Sequence, residues 1–568
     1  MFSPLIDTDS SYVCGLGERP LLHVTVDKVL RCAAQRWPAQ QALISRHQGL
    51  RYTYRELDAA VDRLARGFLA CGHTPGERVG IWSPNNAEWV LTMFAAARAG
   101  LILVNINPAY RSSELEFALR QAGCGALLLA ASFRSSDYIG MLRALIPELK
   151  DAPPGRLRSA KLPSLRNLVQ LSADDVRGFL SFADLNAAGE TADPALIADL
   201  SRTLDPDMPY NIQFTSGTTG LPKGATLTHF NLVNNGYFVG EALRLTAADS
   251  VCVPVPMYHC FGMVLGVLAA MTHGAAVVFP SDGFDPLSVL EAVAAERCTA
   301  LHGVPTMFIA ELEHPRFAEF DLSSLRTGIM AGAPCPVSIM RRVIADMHMR
   351  ETTICYGMTE TSPVSFQSTT DDSIEKRVSS VGRIHPHVEA KIVDERGRVV
   401  RRGTPGELCT RGYGVMQGYW GEPDRTREVL DSAGWMHTGD LAVLDKLGYC
   451  EIVGRVKDMI IRGGENISPR EIEEFLYGHP AVLDVVVVGV PSRKYGEEVC
   501  ACIRLKQGAQ ATIQEIRDFC DGQIAHYKIP RYVVFVDSFP MTVTGKVQKF
   551  VIRERMRDEL GLAGETRG

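Results

Sequence analysis

The densest concentration of chemically useful residues lies in Thr215 to His229, TSGTTGLPKGATLTH. Hydroxyls and glycines packed this closely after the apolar run YNIQF offer a loop of backbone N–H and side-chain O–H donors, which is what a polyphosphate requires. Lys223 places a positive charge inside it. A P-loop reads GxxxxGK[ST], whereas here Pro222 precedes Lys223 and Gly224 follows it, so that pattern is not met. A plain Ser/Thr/Gly surface linker is the alternative, and it leaves the embedded lysine unexplained. His259, in PMYHCFG, has no serine or cysteine in a nucleophile-elbow pattern around it. His229, His259, His273 and His302 show no ligand spacing with cysteines, and HxxxH and HExxH do not occur, so no zinc-type cluster is expected. GYGVMQG, from Gly412, has the wrong spacing and context for a dinucleotide loop.

These residues need a scaffold, and most of the chain reads as strand, turn, helix. GERVGIWSPNNAEWVLTMFAAARAG, from Gly76, runs from an apolar strand through a Ser-Pro-Asn-Asn turn into a helix that ends at Gly100. The rhythm recurs in LILVNINPAY with a helix after Ser112, in AAVVFPSDG with a helix after Asp285, and in LRTGIMAGAP with a helix after Pro336. Strands alternating with helices predict βαβ units and parallel sheets. From about Gly397 closely spaced turns predict a small, more antiparallel, β-barrel-like region. After the charged joint GRVKD a strand, a Gly-Gly turn, a helix and a β-branched strand predict an α+β unit, with a further helix near 513–524 and a last strand at 532–536. The expected class is α/β: a large N-terminal domain over residues 1–454, a joint at 455–458, and a small C-terminal domain over 459–568.

A chain of 568 residues with 46% hydrophobic and 22% charged residues has ample material for a core and is far from the disordered corner of composition. The net charge of −6, with no basic block, argues against nucleic acid as partner. Fourteen cysteines lie singly in apolar surroundings without a CxxC pair, which suits a reducing compartment. The first twenty residues resemble neither a signal nor a transit peptide, and the apolar stretch from Met263 to Pro280 is broken by Thr272, His273 and Gly274. A cytoplasmic protein without integral membrane contact is expected.

The loop at Thr215 occurs together with YGMTET (from Tyr356), GELCTRG (from Gly406), WMHTGDL (from Trp435), GRVKDMIIRGGENISPREIE (from Gly454) and PMTVTGKVQK (from Pro540). In this order the six motifs resemble the adenylate-forming superfamily of acyl-CoA synthetases, firefly luciferases and peptide-synthetase adenylation domains. NINPAYR and DYIGMLRALIPEL are similar to its medium-chain fatty-acyl-CoA ligase branch. The resemblance implies that a carboxylate attacks the α-phosphate of ATP and that the CoA thiol then displaces AMP, with magnesium bridging phosphates. It implies that Thr215, Ser216, Gly217, Thr218, Thr219, Gly220 and Lys223 hold the phosphates, that Glu360 with Thr218 holds the metal, and that Thr215, Glu360, His259 and Lys546 serve catalysis. Tyr356 corresponds to the aromatic on adenine, followed by Gly357, Met358 and Thr359, with Gly332, Ala333 and Pro334 on the base's other side. Asp440 corresponds to the ribose acceptor, with Arg455 beside it and Ile452 nearby. Lys546, in TGK, corresponds to the lysine that reaches the substrate carboxylate and the α-phosphate.

The resemblance further makes Lys457 the hinge of a mobile C-terminal domain, and Arg462, Gly463 and Gly464 the turn that CoA passes. His259 becomes a gate beside the carboxylate channel, with a core histidine as the rival reading. Phe261, Met263, Gly303, Met330 and Met358 join it as candidates for the acyl wall, since flexible methionines suit an alkyl chain. No Asp stands where amino-acid-activating relatives hold an ammonium group. The reading that results is an acyl-CoA synthetase using ATP, magnesium and CoA on a medium-chain or similarly apolar acid. The alternatives are loading of a carrier protein's phosphopantetheine, luciferase-like oxygenation, and a non-catalytic nucleotide- or acyl-binding protein. A homodimer is left open.

Overall fold

A computed structural model describes residues 9–172, 176–215, 222–333, 335–455, 457–463, 465–542 and 547–562. Two large sheets dominate. In the first, the order is Leu180–Ser181, Asn167–Gln170, Cys124–Leu129, Arg78–Trp82, Ile102–Asn105, Pro209–Thr215, Lys223–Thr228 and Gly418–Tyr419. It is parallel up to Pro209–Thr215 and antiparallel beyond. In the second, a parallel block of Glu351–Gly357, Thr327–Ala331, Ala300–Gly303, Ser250–Cys252, Ala276–Phe279 and Gln41–Ser45 carries antiparallel strands at both edges.

Both sheets are apolar on both faces, as strands covered by helices on each side must be. Neighbouring side chains point to opposite faces. Val79, Ile81, Leu103 and Leu128 therefore join one core, while Trp82, Ile102, Val104 and Leu129 join another. The first core also takes Val251, Val277 and Ile329 from the second sheet. A helical layer lies between the sheets and is shared by them, built from Val26–Arg36, Tyr54–Ala70, Ala87–Arg98, His229–Ala242 and the run from Phe261 to His273. Ala87–Arg98 is consequently buried along its whole length, unlike a surface helix with one apolar stripe. Phe261–Leu268 is wound as a π-helix, which the sequence does not announce.

The remaining strands form two smaller sheets. Tyr12–Cys14, Val388–Val393, Gly406–Gly412, Met436–Leu444 and Cys450–Arg455 make an antiparallel five-stranded sheet, in agreement with the turn-rich texture after Gly397. Ile460–Arg462, Glu465–Ile467, Val482–Ser492, Gly496–Leu505 and Tyr532–Phe535 make the last, beside the helices Pro469–Leu476, Ile513–Cys520 and Lys549–Glu559. Its apolar contacts form clusters separate from those of the large sheets. No helix among the described residues is long and apolar enough to cross a membrane, and the cysteines form no disulfide.

One charged group is locked inside the shared helical layer. The side chain of Arg98, with no exposure, donates to Asp27 Oδ1 at 2.5 Å and to Asp58, and reaches Asp62 Oδ1 at 3.4 Å. These partners come from the two neighbouring helices. Burying such an arrangement gains little over apolar packing, but removing one member leaves charge without compensation. Arg98→Met is expected to lower the unfolding free energy by about 3–5 kcal/mol in chemical denaturation; a loss below about 1 kcal/mol would mean that Arg31, which also bonds Asp27, takes over the carboxylates.

Candidate active site

The two parallel sheets end their strands toward one crevice, and the motif residues collect there. Thr215 closes the strand Pro209–Thr215 and pairs in register with Lys223, so the two flanks of the hydroxyl-rich loop are held side by side. Ser216, Gly217, Thr218, Thr219 and Gly220 lie outside the described residues, as do Pro334, Gly464 and Lys546. Glu360 comes from the second sheet, in the helical turn Thr359–Thr361 that follows Glu351–Gly357. It is buried, and its Oε1 accepts from Thr215 Oγ1 at 3.3 Å and from the Tyr419 hydroxyl at 2.9 Å. Lys223 Nζ lies 4.9 Å from the centre of the Tyr419 ring, a cation–π contact. Burial and the Glu360 carboxylate push the Tyr419 phenol well up, so it stays protonated and remains a donor.

A second polar group forms four residues earlier in the same segment. Tyr356 ends the strand Glu351–Gly357, and its hydroxyl donates to Asp440 Oδ2 at 2.5 Å. Arg455 Nε donates to Asp440 Oδ1 at 2.9 Å across a directly paired position of the antiparallel sheet. Asp440 is buried and accepts both bonds. Its charge raises the Arg455 pKa further, while burial, and then Asp440, pushes the Tyr356 phenol well above its usual range. Tyr356 and Ile452 pack in one apolar cluster below this group. Gly332 and Ala333 follow Thr327–Ala331 and are exposed; because Ala331 pairs with Cys355, they continue alongside Tyr356. Gly332 has φ +88°, a left-handed conformation that explains glycine there.

The remaining candidates separate. His259 is half-buried, and its Nδ1 accepts from the Phe261 N–H at 3.1 Å at the entrance of the π-helical run. Phe261, Met263 and Met358 share the central core with Met307 and Val304. Met330 does not join them. It alternates to the other face of its strand and packs with Cys252, Leu301, Phe308 and Met340, so the expectation that it lines the same wall is corrected by the strand's own period of two. Gly303 is hydrogen-bond paired beside Met330, and a Cβ there would meet Phe308 at 3.0 Å. A small cleft of about 30 Å³ lies beside Tyr258, lined also by Asn85, Pro108, Phe133, Phe284 and Met307 among others, and none of the expected wall residues lines it.

Toward the C-terminus, Lys457 is exposed in the turn after Arg455, where the Asp458 and Met459 N–H groups donate to the Arg455 carbonyl. Arg462 is paired bidentately with Glu498, at 2.6 and 3.2 Å, and its guanidinium lies 4.4 Å from the Tyr495 ring centre. Gly463 has φ +61° and donates its N–H to the Tyr495 carbonyl at 2.8 Å. Ser468 Oγ donates to the Val453 carbonyl, and Arg470 Nη1 to that of Ile452.

Sequence reasoning missed Tyr419, Ser468 and Arg470. Tyr419 lies beyond GYGVMQG in a strand of two residues, too short for periodicity to reveal which way the phenol points. Two of the other histidines, His229 and His302, prove structural. His229 stacks on Tyr210 and accepts from the Val26 N–H at 3.2 Å, and burial pushes its pKa down to about 3. His302 bonds the Leu265 carbonyl at 3.0 Å, with its pKa pushed down to about 4 by burial.

Comparison with known proteins agrees with this arrangement. A mitochondrial medium-chain acyl-CoA ligase of Danio rerio is 48% identical over 97% of this chain and 92% of its own length. Among solved structures, ATP-bound MatB from Rhodopseudomonas palustris superposes with a TM-score of 0.80 at 29% identity, over 94% of this chain and all of that one. The anthranilate CoA ligase AuaEII in complex with anthranoyl-AMP gives a TM-score of 0.84 at 25% identity, over 96% and 99% of the two chains. Residues 30–420 match the AMP-binding enzyme family and residues 471–546 the AMP-binding enzyme C-terminal domain, so the chain belongs to the AMP-binding enzymes.

Proposed function

We propose that the chain is an AMP-forming acyl-CoA synthetase acting on a medium-chain or similarly apolar carboxylic acid. The acid's carboxylate oxygen attacks the α-phosphate of ATP, pyrophosphate leaves, and the CoA thiol then takes the acyl group with release of AMP. One observation carries this reading. The Asp440–Tyr356–Arg455 group and the Glu360–Thr215–Tyr419 group hang on one segment, with Tyr356 and Glu360 four residues apart. Their Cα atoms are therefore at most about 14 Å apart, close enough for one nucleotide to reach both groups. The similarity to the Danio rerio medium-chain ligase supports the choice of acid and acceptor.

In this reading Asp440 accepts the ribose hydroxyls with the lone pairs that Tyr356 and Arg455 leave, since each carboxylate oxygen offers two. Tyr356, fixed by its own hydrogen bond, presents its ring to adenine beside Gly332, Ala333 and Pro334, with Ile452 below and Gly357, Met358 and Thr359 completing the wall. Thr215 and Lys223 bracket the phosphate loop of Ser216 to Gly220. Magnesium fits the donor chemistry at Glu360, a buried hard-oxygen carboxylate oriented by two hydroxyls, and Thr218 would join it; the ion would offset phosphate charge. Lys546 neutralises charge developing between the acid and the α-phosphate.

His259, Phe261, Met263 and Met358 remain the acyl-side candidates; Gly303, paired with Met330 and facing Phe308, goes with Met330 to the other face. The domain bounds of 1–454 and 459–568, with the hinge at 455–458 turning on Lys457, are part of the proposal. CoA would pass Gly463 and Gly464; Arg462, already paired with Glu498, serves by fixing that turn. We place the protein in the cytoplasm, on the apolar burial of most of its cysteines.

Mass spectrometry of purified protein with ATP, magnesium, CoA and a panel of straight, branched and aromatic acids tests the assignment. The expected product is a medium-chain acyl-CoA; pyrophosphate release without any thioester would transfer the acceptor role to a carrier protein. Lys546→Ala is expected to slow adenylation roughly a hundredfold or more while sparing thioesterification of preformed acyl-adenylate. Equal loss of both half-reactions would refute the role given to Lys546. For Tyr356→Phe, loss of one hydrogen bond to Asp440 is expected to raise KM for ATP about two- to tenfold with kcat kept, as steady-state kinetics would read.

A further inference from the structure

Outside the nucleotide crevice, three side chains with metal-ligating atoms converge on the antiparallel sheet. Glu407 and Cys409 project from the same face of Gly406–Gly412, two residues apart, and His437 on Met436–Leu444 pairs directly with Cys409. His437 Nδ1 lies 2.9 Å from Glu407 Oε2 and 3.5 Å from Cys409 Sγ, and all three atoms lie within 4.8 Å of one another. Both contacts fall on that one nitrogen. With its proton on Nδ1 the ring donates to the carboxylate, and the thiol sulfur, a weak acceptor, shares that N–H only at long range. A His–Glu hydrogen bond thus explains the oxygen and leaves the sulfur only a weak contact.

A cation at the centre would satisfy all three atoms at once. With Zn–S of about 2.3 Å and Zn–N of about 2.0–2.1 Å, tetrahedral ligation separates S from N by about 3.5 Å and O from N by about 3.3 Å. The sulfur–nitrogen spacing already has that value, and the oxygen–nitrogen spacing needs to open by only a few tenths of an ångström. Access is also present. Cys409 is fully buried at the back, against Trp435 and Val393, while the side chains of His437 and Glu407 are 33% and 29% exposed in front. That leaves a fourth position open to water, the pattern of a three-ligand zinc site.

We propose that Glu407, Cys409 and His437 form a binding site for a thiophilic divalent cation of the zinc class. Binding replaces the thiol proton, which leaves to solvent, and pins two neighbouring strands of this sheet together. Glu407 Oε1 meanwhile accepts from the Gly439 N–H at 3.2 Å, so the cation would also stiffen the turn that leads into Asp440. The proposal does not rest on the reaction assigned above.

Cobalt(II) titration of the metal-free full-length protein tests it, because only a thiolate ligand produces near-ultraviolet charge-transfer absorption. The expected result is a saturable band that zinc displaces and that is lost in both Cys409→Ser and His437→Ala. The background is the double variant Cys14→Ser/Cys32→Ser, which removes two exposed thiols and should keep the band. Zinc should raise the thermal midpoint of the wild type but not of Cys409→Ser, since a ligand stabilises only the state that binds it. Circular dichroism of the metal-free variants checks their folding, and His437→Ala, altered at a part-exposed position, provides the second reading if Cys409→Ser is unstable. A band that persists in Cys409→Ser, or no band in the wild type, overturns the proposal.

Discussion

Everything at the crevice depends on where one buried carboxylate is held. Glu360 belongs to the second sheet, yet the hydroxyls that fix its Oε1 come from Thr215 and Tyr419 on the first. A carboxylate taken out of water is costly unless its lone pairs find donors, so this pairing fixes the separation of two sheets otherwise joined mainly through apolar helices. Asp440 repeats the device between the second sheet and the antiparallel one, through Tyr356. Three sheets are thus registered by two carboxylates, and the phosphate-loop flanks and the proposed ribose site inherit that registration. The apolar cores supply cohesion, which is non-directional; the short polar contacts supply position.

The shared helical layer explains why the crevice sits at the ends of the strands. Helices such as Ala87–Arg98 are covered on every side, leaving no room for a polar ligand between the sheets. Arg98 with its three aspartates, which Arg31 and Arg66 also reach, is an exception closed by ion pairs. Polar residues can be hydrated only where strands give way to loops, and in parallel sheets the carboxyl ends gather there, as Thr215, Ala331 and Gly357 do.

Much of this was legible in the residues. The strand–turn–helix rhythm predicts the helices after Ser112, Asp285 and Pro336, which begin at Ser112, Pro286 and Val337, because apolar period and turn chemistry act locally. The antiparallel texture after Gly397 is equally local. Which face a side chain takes in a doubly buried strand is not, since both faces are apolar: Met330 looks like a neighbour of Met263 and lies on the other side of the sheet. Tyr419 was hidden by the brevity of its strand. Cys409 and His437 are 28 residues apart and meet only through strand pairing, so a search for linear ligand spacing passes over them. Motif resemblance marked Asp440 and Glu360, but not that Tyr356 and Tyr419 hold them.

The fastenings of Ser468 and Arg470 have a kinetic meaning. Both donate to main-chain carbonyls, at Val453 and Ile452, on the strand that ends in Arg455. Carbonyls are present whatever the side chains, so substitutions along that strand leave these two fastenings their acceptors. A swing of the C-terminal segment about Lys457 would have to exchange both bonds for water before it could proceed. The net loss would be small, because water replaces them, but both would have to open for such a swing, so they would act as a barrier to leaving this arrangement.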